Sequence, residues 1–499
     1  MLWLALHLPQ LSLEAFATTC SPTAAGRPSA LLAGPRVVAV DAAAVQRGVT
    51  PGMKRSTALA LAPDLQFAPA DAGRDAAALL AVAHAALAFT PTVALGGPAT
   101  VLMEVQSSLR LFGGRSRLLQ RLREAIAPLG HRVRIAAAPT AQGAEWLARW
   151  RDDLAEGTHA TGGVALQQLL DAAPLGLLDA AGEHAAAFDA LGLTTIGELR
   201  RLPRAGLARR FGAGLLDELD RALGVRPDPR PPLVPAPAFE SRLELFTRAD
   251  STAQVLHGAG VLLARLVAWA AASQSRIAAF TLRMQHEPRH RNDVAAATEL
   301  SVVLSEPALD PGHLQLLLRE RLARVELTAP TLELQLLCRD LVHRAAPNAE
   351  LFPTRQGQAE GLTRLLERLR ARLGDEQVQR LVPVAEHRPE RASRSEPALA
   401  FGRTAAGPVS PVATLPLQRP VWLLPDPVPL AEREALPLLD GRALQLLSGP
   451  ERIETGWWDD APAARDYFIA LADDGALVWI FRSRLPVAAG GWFLQGRFG

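Results

Sequence analysis

Between Arg36 and Phe67 the chain reads RVVAVDAAAVQRGVTPGMKRSTALALAPDLQF. An apolar run stops at Asp41 and an Ala-rich segment follows. The turn Gly48-Val49-Thr50-Pro51-Gly52-Met53 then leads into a second Ala/Leu-rich segment, which Pro63 closes. Gly and Pro break regular structure for opposite reasons, one by freeing φ and the other by fixing it, so this pattern demands two helices held around one tight turn. A chain of 499 residues must add several further domains, each with its own core.

Bulk properties narrow the function. Hydrophobic residues make up 49% and mean hydropathy is +0.10, as expected for an Ala/Leu-rich globular protein. The stretch MLWLALHLPQL lacks a basic leading region and is broken by His7 and Pro9, which argues against a signal peptide or membrane span and for a cytoplasmic protein. Cys20 and Cys338 are far apart, and no Cys/His spacing suggests zinc, so neither a metal nor another cofactor is expected. A formal net charge of +2 is small for a chain that grips nucleic acid unaided, because phosphate affinity comes from clustered Lys and Arg. Lys54 is the single lysine and Tyr467 the single tyrosine.

The order of elements around GVTPGM, with APDL after it, resembles the fingers of Y-family translesion DNA polymerases, where the equivalent segment closes over the incoming nucleotide. The resemblance continues along most of the chain. It implies an α/β (α+β) multidomain fold: palm and fingers over 1–160 with the fingers at about 10–78, a helix-hairpin-helix thumb over 161–228, a Pro-rich linker at 229–238 and a little finger over 239–345. Beyond these come a peptide at 346–358, an Arg-rich helix and extended segment at 359–392, a Pro-rich linker at 393–437 and a small aromatic-rich β module at 438–499.

Active relatives place an aspartate in the first palm strand and an Asp-Glu pair in the second, because two metal ions about 4 Å apart need bridging carboxylates. In this chain His7 stands at the first position, and no Asp precedes Asp41. Glu14, the one nearby carboxylate, belongs to a helix start. At the second position one register places Ala99-Thr100 on the pair; another places Glu104 there, beside Met103. Either way a single carboxylate is too few. Ala42 and Val45 replace the tyrosine and arginine that would hold a triphosphate, and the palm lysine is missing. The resemblance therefore implies a polymerase-like chain without polymerase chemistry, against the alternative of an active translesion polymerase.

Contacts to nucleic acid could come from Lys54 and Arg55, from Thr195 and Gly197 at a helix start where N–H groups can meet a phosphate, from Arg209 and Arg210, and from Arg283, Arg289 and Arg291 on the little finger. Acids balance bases in these regions, so the expected binding is weak; a small helical packing domain is the other reading of the thumb, and a stand-alone DNA-binding protein remains the second alternative for the whole. Asn348-Ala349-Glu350-Leu351-Phe352 lies between prolines, and its Leu-Phe end resembles the peptides that bacterial polymerases insert into the sliding clamp (the β subunit), with Asn348 where Gln is usual. The other reading is that Leu351 and Phe352 cap the little finger's own core.

The C-terminal aromatics include Trp457, Trp458, Trp492, Phe493 and Phe498. Interleaved with Arg, they suit a protein interface better than single-stranded bases, although both use these residue types. The whole layout resembles the polymerase-like subunit of a bacterial mutasome. That implies a scaffold in damage-induced mutagenesis linking the sliding clamp, an ImuA-type RecA-like protein and an error-prone DnaE-type polymerase, with partner contacts in the C-terminal region.

Overall fold

The computed structural model describes residues 1–20, 26–97, 99–288, 297–327, 329–343, 355–398, 419–459, 461–485 and 491–498. The chain forms two compact units, 1–372 and 373–499. It is mixed α/β with several separate sheets and a β-rich C-terminal part.

The first sheet of the larger unit is antiparallel, in the order Val93–Leu95, Thr100–Glu104, Trp3–His7, Arg134–Ala138. Its central strand is apolar without a break because both faces are covered. Leu4 and Leu6 enter a core with helices Ala72–Leu87 and Arg115–Ile126, while Ala5 enters a second core with helix Ala141–Trp150. In Arg115–Ile126 the buried residues Leu118, Leu119, Leu122 and Ile126 recur at three- and four-residue spacing, the mark of one helix face against a core. The second core continues through helices 163–223, and Thr140 Oγ1 donates to Ala222 O at 2.6 Å. Packing thus runs unbroken across the boundary expected at 160.

The opening stretch forms the strand Arg36–Val40, the helices Ala42–Gln46 and Arg55–Leu61, and the strand Gln66–Pro69, which is parallel to Ser29–Ala33. Gly48 and Gly52 both have φ in the left-handed region, +82° and +91°, with open space where a Cβ would stand. Glycine is needed there for backbone conformation, not for room. Gly52 N–H donates to Val37 O at 2.7 Å, and Val37 N–H to Met53 O at 2.9 Å, so the turn is tied to its own strand.

Residues 229–238 form a pinned connection. Leu233 N–H donates to Val93 O at 2.7 Å, and Trp269 Nε1 donates to Ala236 O at 3.0 Å. The sheet that follows is antiparallel in the order Ala297–Ala308, Ser275–His286, Thr331–His343, Phe239–Ala249. Helices Thr252–Ala272 and Pro311–Leu322 pack on it, as the alternation of apolar residues predicts. Thr252–Ala272 is long and apolar enough to cross a membrane, yet its Leu262, Leu263, Leu266 and Trp269 are spent on this core. Arg355–Leu373 adds a third helix, fastened where His313 Nε2 meets Glu367 Oε2 at 2.7 Å with both side chains buried.

The smaller unit holds an antiparallel five-stranded sheet, Trp422–Pro429, Trp492–Arg497, Leu477–Ser483, Ala463–Leu471, Gln445–Thr455, with the hairpin Gln379–Pro383/Ser393–Pro397 and a small three-stranded sheet beginning at Ala431–Arg433. This corrects the reading of 393–437 as linker. Within its described residues lie the strands Ser393–Pro397, Trp422–Pro429 and Ala431–Arg433 and the start of Leu436–Leu439. Arg388 fastens the hairpin region. Its guanidinium donates to both Asp459 oxygens at 2.9 and 2.7 Å and to Glu386 at 2.6 Å, bonds that draw both carboxyls down to about 2.

Trp269 is 1% exposed and central to its core. Trp269→Ala is expected to destabilise that core by about 3–5 kcal/mol, read as a lower denaturant midpoint for the full chain.

Candidate functional site

The central strand of the first sheet ends at His7, and its register sets Thr100 across from it on one side and Arg134 on the other. His7 Nδ1 lies 3.1 Å from Thr100 Oγ1, and Leu8 N–H donates to Ala99 O at 2.8 Å. His7, Ala99 and Thr100 therefore meet at one end of the sheet. Glu104 lies opposite Trp3, four residues or about 13 Å along the strand from Thr100. Its Oε1 accepts the N–H groups of Leu2 and Gln106, each at 3.1 Å. The register that would make Glu104 a metal ligand beside His7 is not the one the sheet forms.

The surroundings of His7 are cationic. Burial, and then the charges of Arg134 and Arg149, push its imidazole down to about 4, against a hydrogen bond to the Ala99 backbone. Glu145 is a buried carboxylate whose pKa burial raises. It is engaged elsewhere: Gly97 N–H donates to it at 2.6 Å, and Arg230 Nη1 is 3.6 Å away. Among the described residues no group of three or more His, Cys, Asp or Glu could hold a metal ion. Magnesium takes carboxylate and phosphate oxygens. A neutral imidazole, a hydroxyl and a methyl group near two guanidinium charges do not fit a two-magnesium centre, and no catalytic step is derived through one.

In the stretch expected to form fingers, Asp41 caps the helix Ala42–Gln46, accepting Ala44 N–H at 2.7 Å, and also accepts Ser29 N–H at 2.8 Å. Ala42 and Val45 follow, and Val45 shows an aliphatic side chain to solvent. Lys54 and Arg55 are exposed, with the Arg55 guanidinium 5.5 Å from the Phe67 ring.

The residues expected at a phosphate-binding helix start have internal work. Thr195 and Glu198 form a capping box, and Glu198 Oε2 accepts N–H from Thr194 at 2.8 Å and from Thr195 at 3.0 Å. These bonds lower the carboxyl's pKa. A carboxylate of the chain thus takes the N–H groups of Thr194 and Thr195, just before the helix. A Cβ on Gly197 would come 2.7 Å from Asp171 O, so this glycine permits close packing of two helices. Thr195 thus serves as a cap and Gly197 as a packing position. Arg209 and Arg210 are exposed, while Arg283 is half-buried with Nε 3.8 Å from Glu299 across the strands. Arg289, Arg291 and the segment Asn348 to Phe352 lie outside the described residues.

In the smaller unit Trp457 and Trp458 are exposed, 82% and 57%, and meet edge to face at 5.2 Å. Trp492 is a correction: it is 4% exposed, sits in the core of the sheet against Phe468, and presents no surface to a partner. Phe493 stacks on Phe481 at 5.1 Å, and Phe498 packs on the same cluster. Sequence reasoning missed the polar network beside them. Arg465 lies over Phe481 at 4.8 Å and donates to Tyr467 Oη at 3.0 Å, Tyr467 donates to Gln495 Oε1 at 3.0 Å, and burial pushes the phenol up to about 12. The available signal was compositional: the sole tyrosine flanked by Arg465 and Asp466 in a strand.

The impB/mucB/samB family model matches residues 12–149. The proteins called ImuB from two strains of Caulobacter vibrioides, NA1000 / CB15N and ATCC 19089 / CIP 103742 / CB 15, are each 32% identical to this chain over 484 residues, covering 91% of it and 100% of themselves. The chain belongs to the ImuB family. Among solved structures, a chimeric Y-family DNA polymerase aligns with 69% of this ImuB-family chain and 100% of its own, at 14% identity and TM-score 0.39. DinB from Sulfolobus solfataricus aligns with 68% and 98%, at 14% identity and TM-score 0.39.

The His7 environment gives a pH test. An imidazole ordinarily titrates near 6.5, and in the folded chain near 4, so the unfolded state takes up protons first as pH falls. Stability is expected to drop between about pH 6.5 and 4 and to level off below. Buried His84 is pushed down to about 4 as well, so His7→Gln should reduce but not abolish that drop in a stability–pH profile measured by urea unfolding.

Proposed function

We propose that this ImuB-family protein is a non-catalytic scaffold in translesion synthesis after DNA damage. The observation that supports this most directly is the palm position itself: His7 against Thr100, flanked by Arg134 and Arg149, where a two-metal polymerase needs carboxylates. Ala42 and Val45 add to it, since neither can hold a triphosphate. On this reading the chain joins the sliding clamp, an ImuA-type RecA-like protein and an error-prone DnaE-type polymerase, and the latter performs synthesis. Work of this kind belongs in the cytoplasm.

DNA contact is secondary and weak. The helix start at Thr195 is closed by Glu198, and Arg283 has an acidic neighbour in Glu299. The exposed pair Trp457 and Trp458 is the better candidate for a protein partner, because large apolar surface in water is unfavourable until covered. Clamp attachment is assigned to Asn348-Ala349-Glu350-Leu351-Phe352, with Leu351 and Phe352 as the inserted pair.

Replacing Leu351 and Phe352 together by Ala in the full chain should abolish co-elution with the sliding clamp on size-exclusion chromatography, while leaving unfolding behaviour unchanged. Undiminished co-elution would place clamp contact elsewhere.

A further inference from the structure

A cleft of about 550 Å³ runs beside the strand Phe239–Ala249, the outer strand of its sheet. The consecutive residues Glu240 to Phe246 line it on one side, and Phe16, Pro69 and Arg74 contribute from other elements. The free edge of the strand faces outward here. Phe246 N–H leaves the sheet and donates to Thr19 O at 3.0 Å. The register of the strand shifts between Glu244 and Ala249, and over 240–245 antiparallel alternation turns the N–H and C=O groups of every second residue to this outer edge. Among the described residues no N–H group from Glu240 to Leu245 is bonded to backbone outside the sheet.

Arg265 lines the same cleft and is 5% exposed. It is the single Lys, Arg, Asp or Glu in the helix Thr252–Ala272. It donates to Ser241 Oγ at 3.2 Å, and among the described ion pairs none supplies it with a carboxylate. A buried guanidinium without a counter-charge is costly, and here burial alone lowers its pKa. The obvious acids nearby are otherwise placed. Asp71 caps a helix, Glu240 accepts from Arg242 at 2.8 Å, and Glu244 and Glu333 oppose each other across the strands.

We infer that this cleft is a docking groove for an extended peptide of a partner protein, which adds to the free edge of Phe239–Ala249 as a further strand and sets one carboxylate on Arg265. The edge supplies main-chain bonds that any sequence can use, and the buried guanidinium supplies the selection. The edge from Glu240 to Glu244 suits about five extended residues. Nucleic acid is the poorer occupant: a backbone charged at every step would meet Glu240, Glu244 and Glu333, whereas a peptide brings one negative charge to one place. The groove lies apart from the palm position and is independent of whether the chain is catalytic.

The test uses the full-length protein and two fluorescein-labelled, N-acetylated heptapeptides, Thr-Val-Thr-Glu-Thr-Val-Thr and its Gln counterpart, followed by anisotropy. The Glu peptide should bind about tenfold or more tightly than the Gln peptide, the effect of one charge-assisted hydrogen bond. Arg265→Met should erase that preference. Of the neighbouring variants Leu243→Pro and Glu244→Pro, one removes an N–H that points away from the sheet, where proline is tolerated, and that folded variant should weaken both peptides by about tenfold. Equal affinity for the two peptides, absence of binding, or binding unchanged in either folded variant would overturn the proposal. The comparison of peptides on the unaltered protein decides the matter even where a variant fails to fold.

Discussion

The strand Trp3–His7 is hydrogen-bonded along both edges and covered on both faces, and much of the larger unit depends on that double pairing. With Thr100 fixed across from His7 on one side and Arg134 on the other, the end of this strand has one possible set of neighbours. A slip of one residue would turn Leu4 and Leu6 from one core into the other, so the register is held by packing as well as by hydrogen bonds. A sheet can keep its geometry in this way while the side chains at its end change their chemistry.

The charge around that end is positive, from Arg134 and Arg149. Two magnesium ions and a triphosphate need carboxylates for the metals and cations for the phosphates. Here the position beside His7 has no carboxylate, and the nearby buried one, Glu145, is bound to Gly97 and close to Arg230. The same redirection inward recurs elsewhere. Glu198 fills the helix start at Thr195, and Arg388 spends its guanidinium on Asp459 and Glu386. Polar groups that could serve ligands in an enzyme serve the chain's own folding.

Several of these features were legible in the sequence. The glycines of GVTPGM need left-handed backbone, which proline and polar neighbours only reinforce, and the alternating strands of 275–286 and 331–343 announce a sheet with one apolar face. The strand Trp422–Pro429 was hidden because Pro425, Pro427 and Pro429 read as linker; it lies at a sheet edge and carries a register shift, where proline costs no ladder bond. Trp492 was misread as surface because alternation cannot tell which face of a sheet is covered, and in this module both bear apolar clusters. The roles of Glu198, Glu367 and Arg265 come from partners or burial that local composition does not reveal.

The proposed scaffold role requires that this ImuB-family chain perform no nucleotidyl transfer. The most direct measurement is primer extension by the purified full chain on a primed template, with magnesium or manganese and all four deoxynucleoside triphosphates. The account predicts no extension above the protein-free control. Extension that requires the metal and disappears in Glu104→Ala would contradict it.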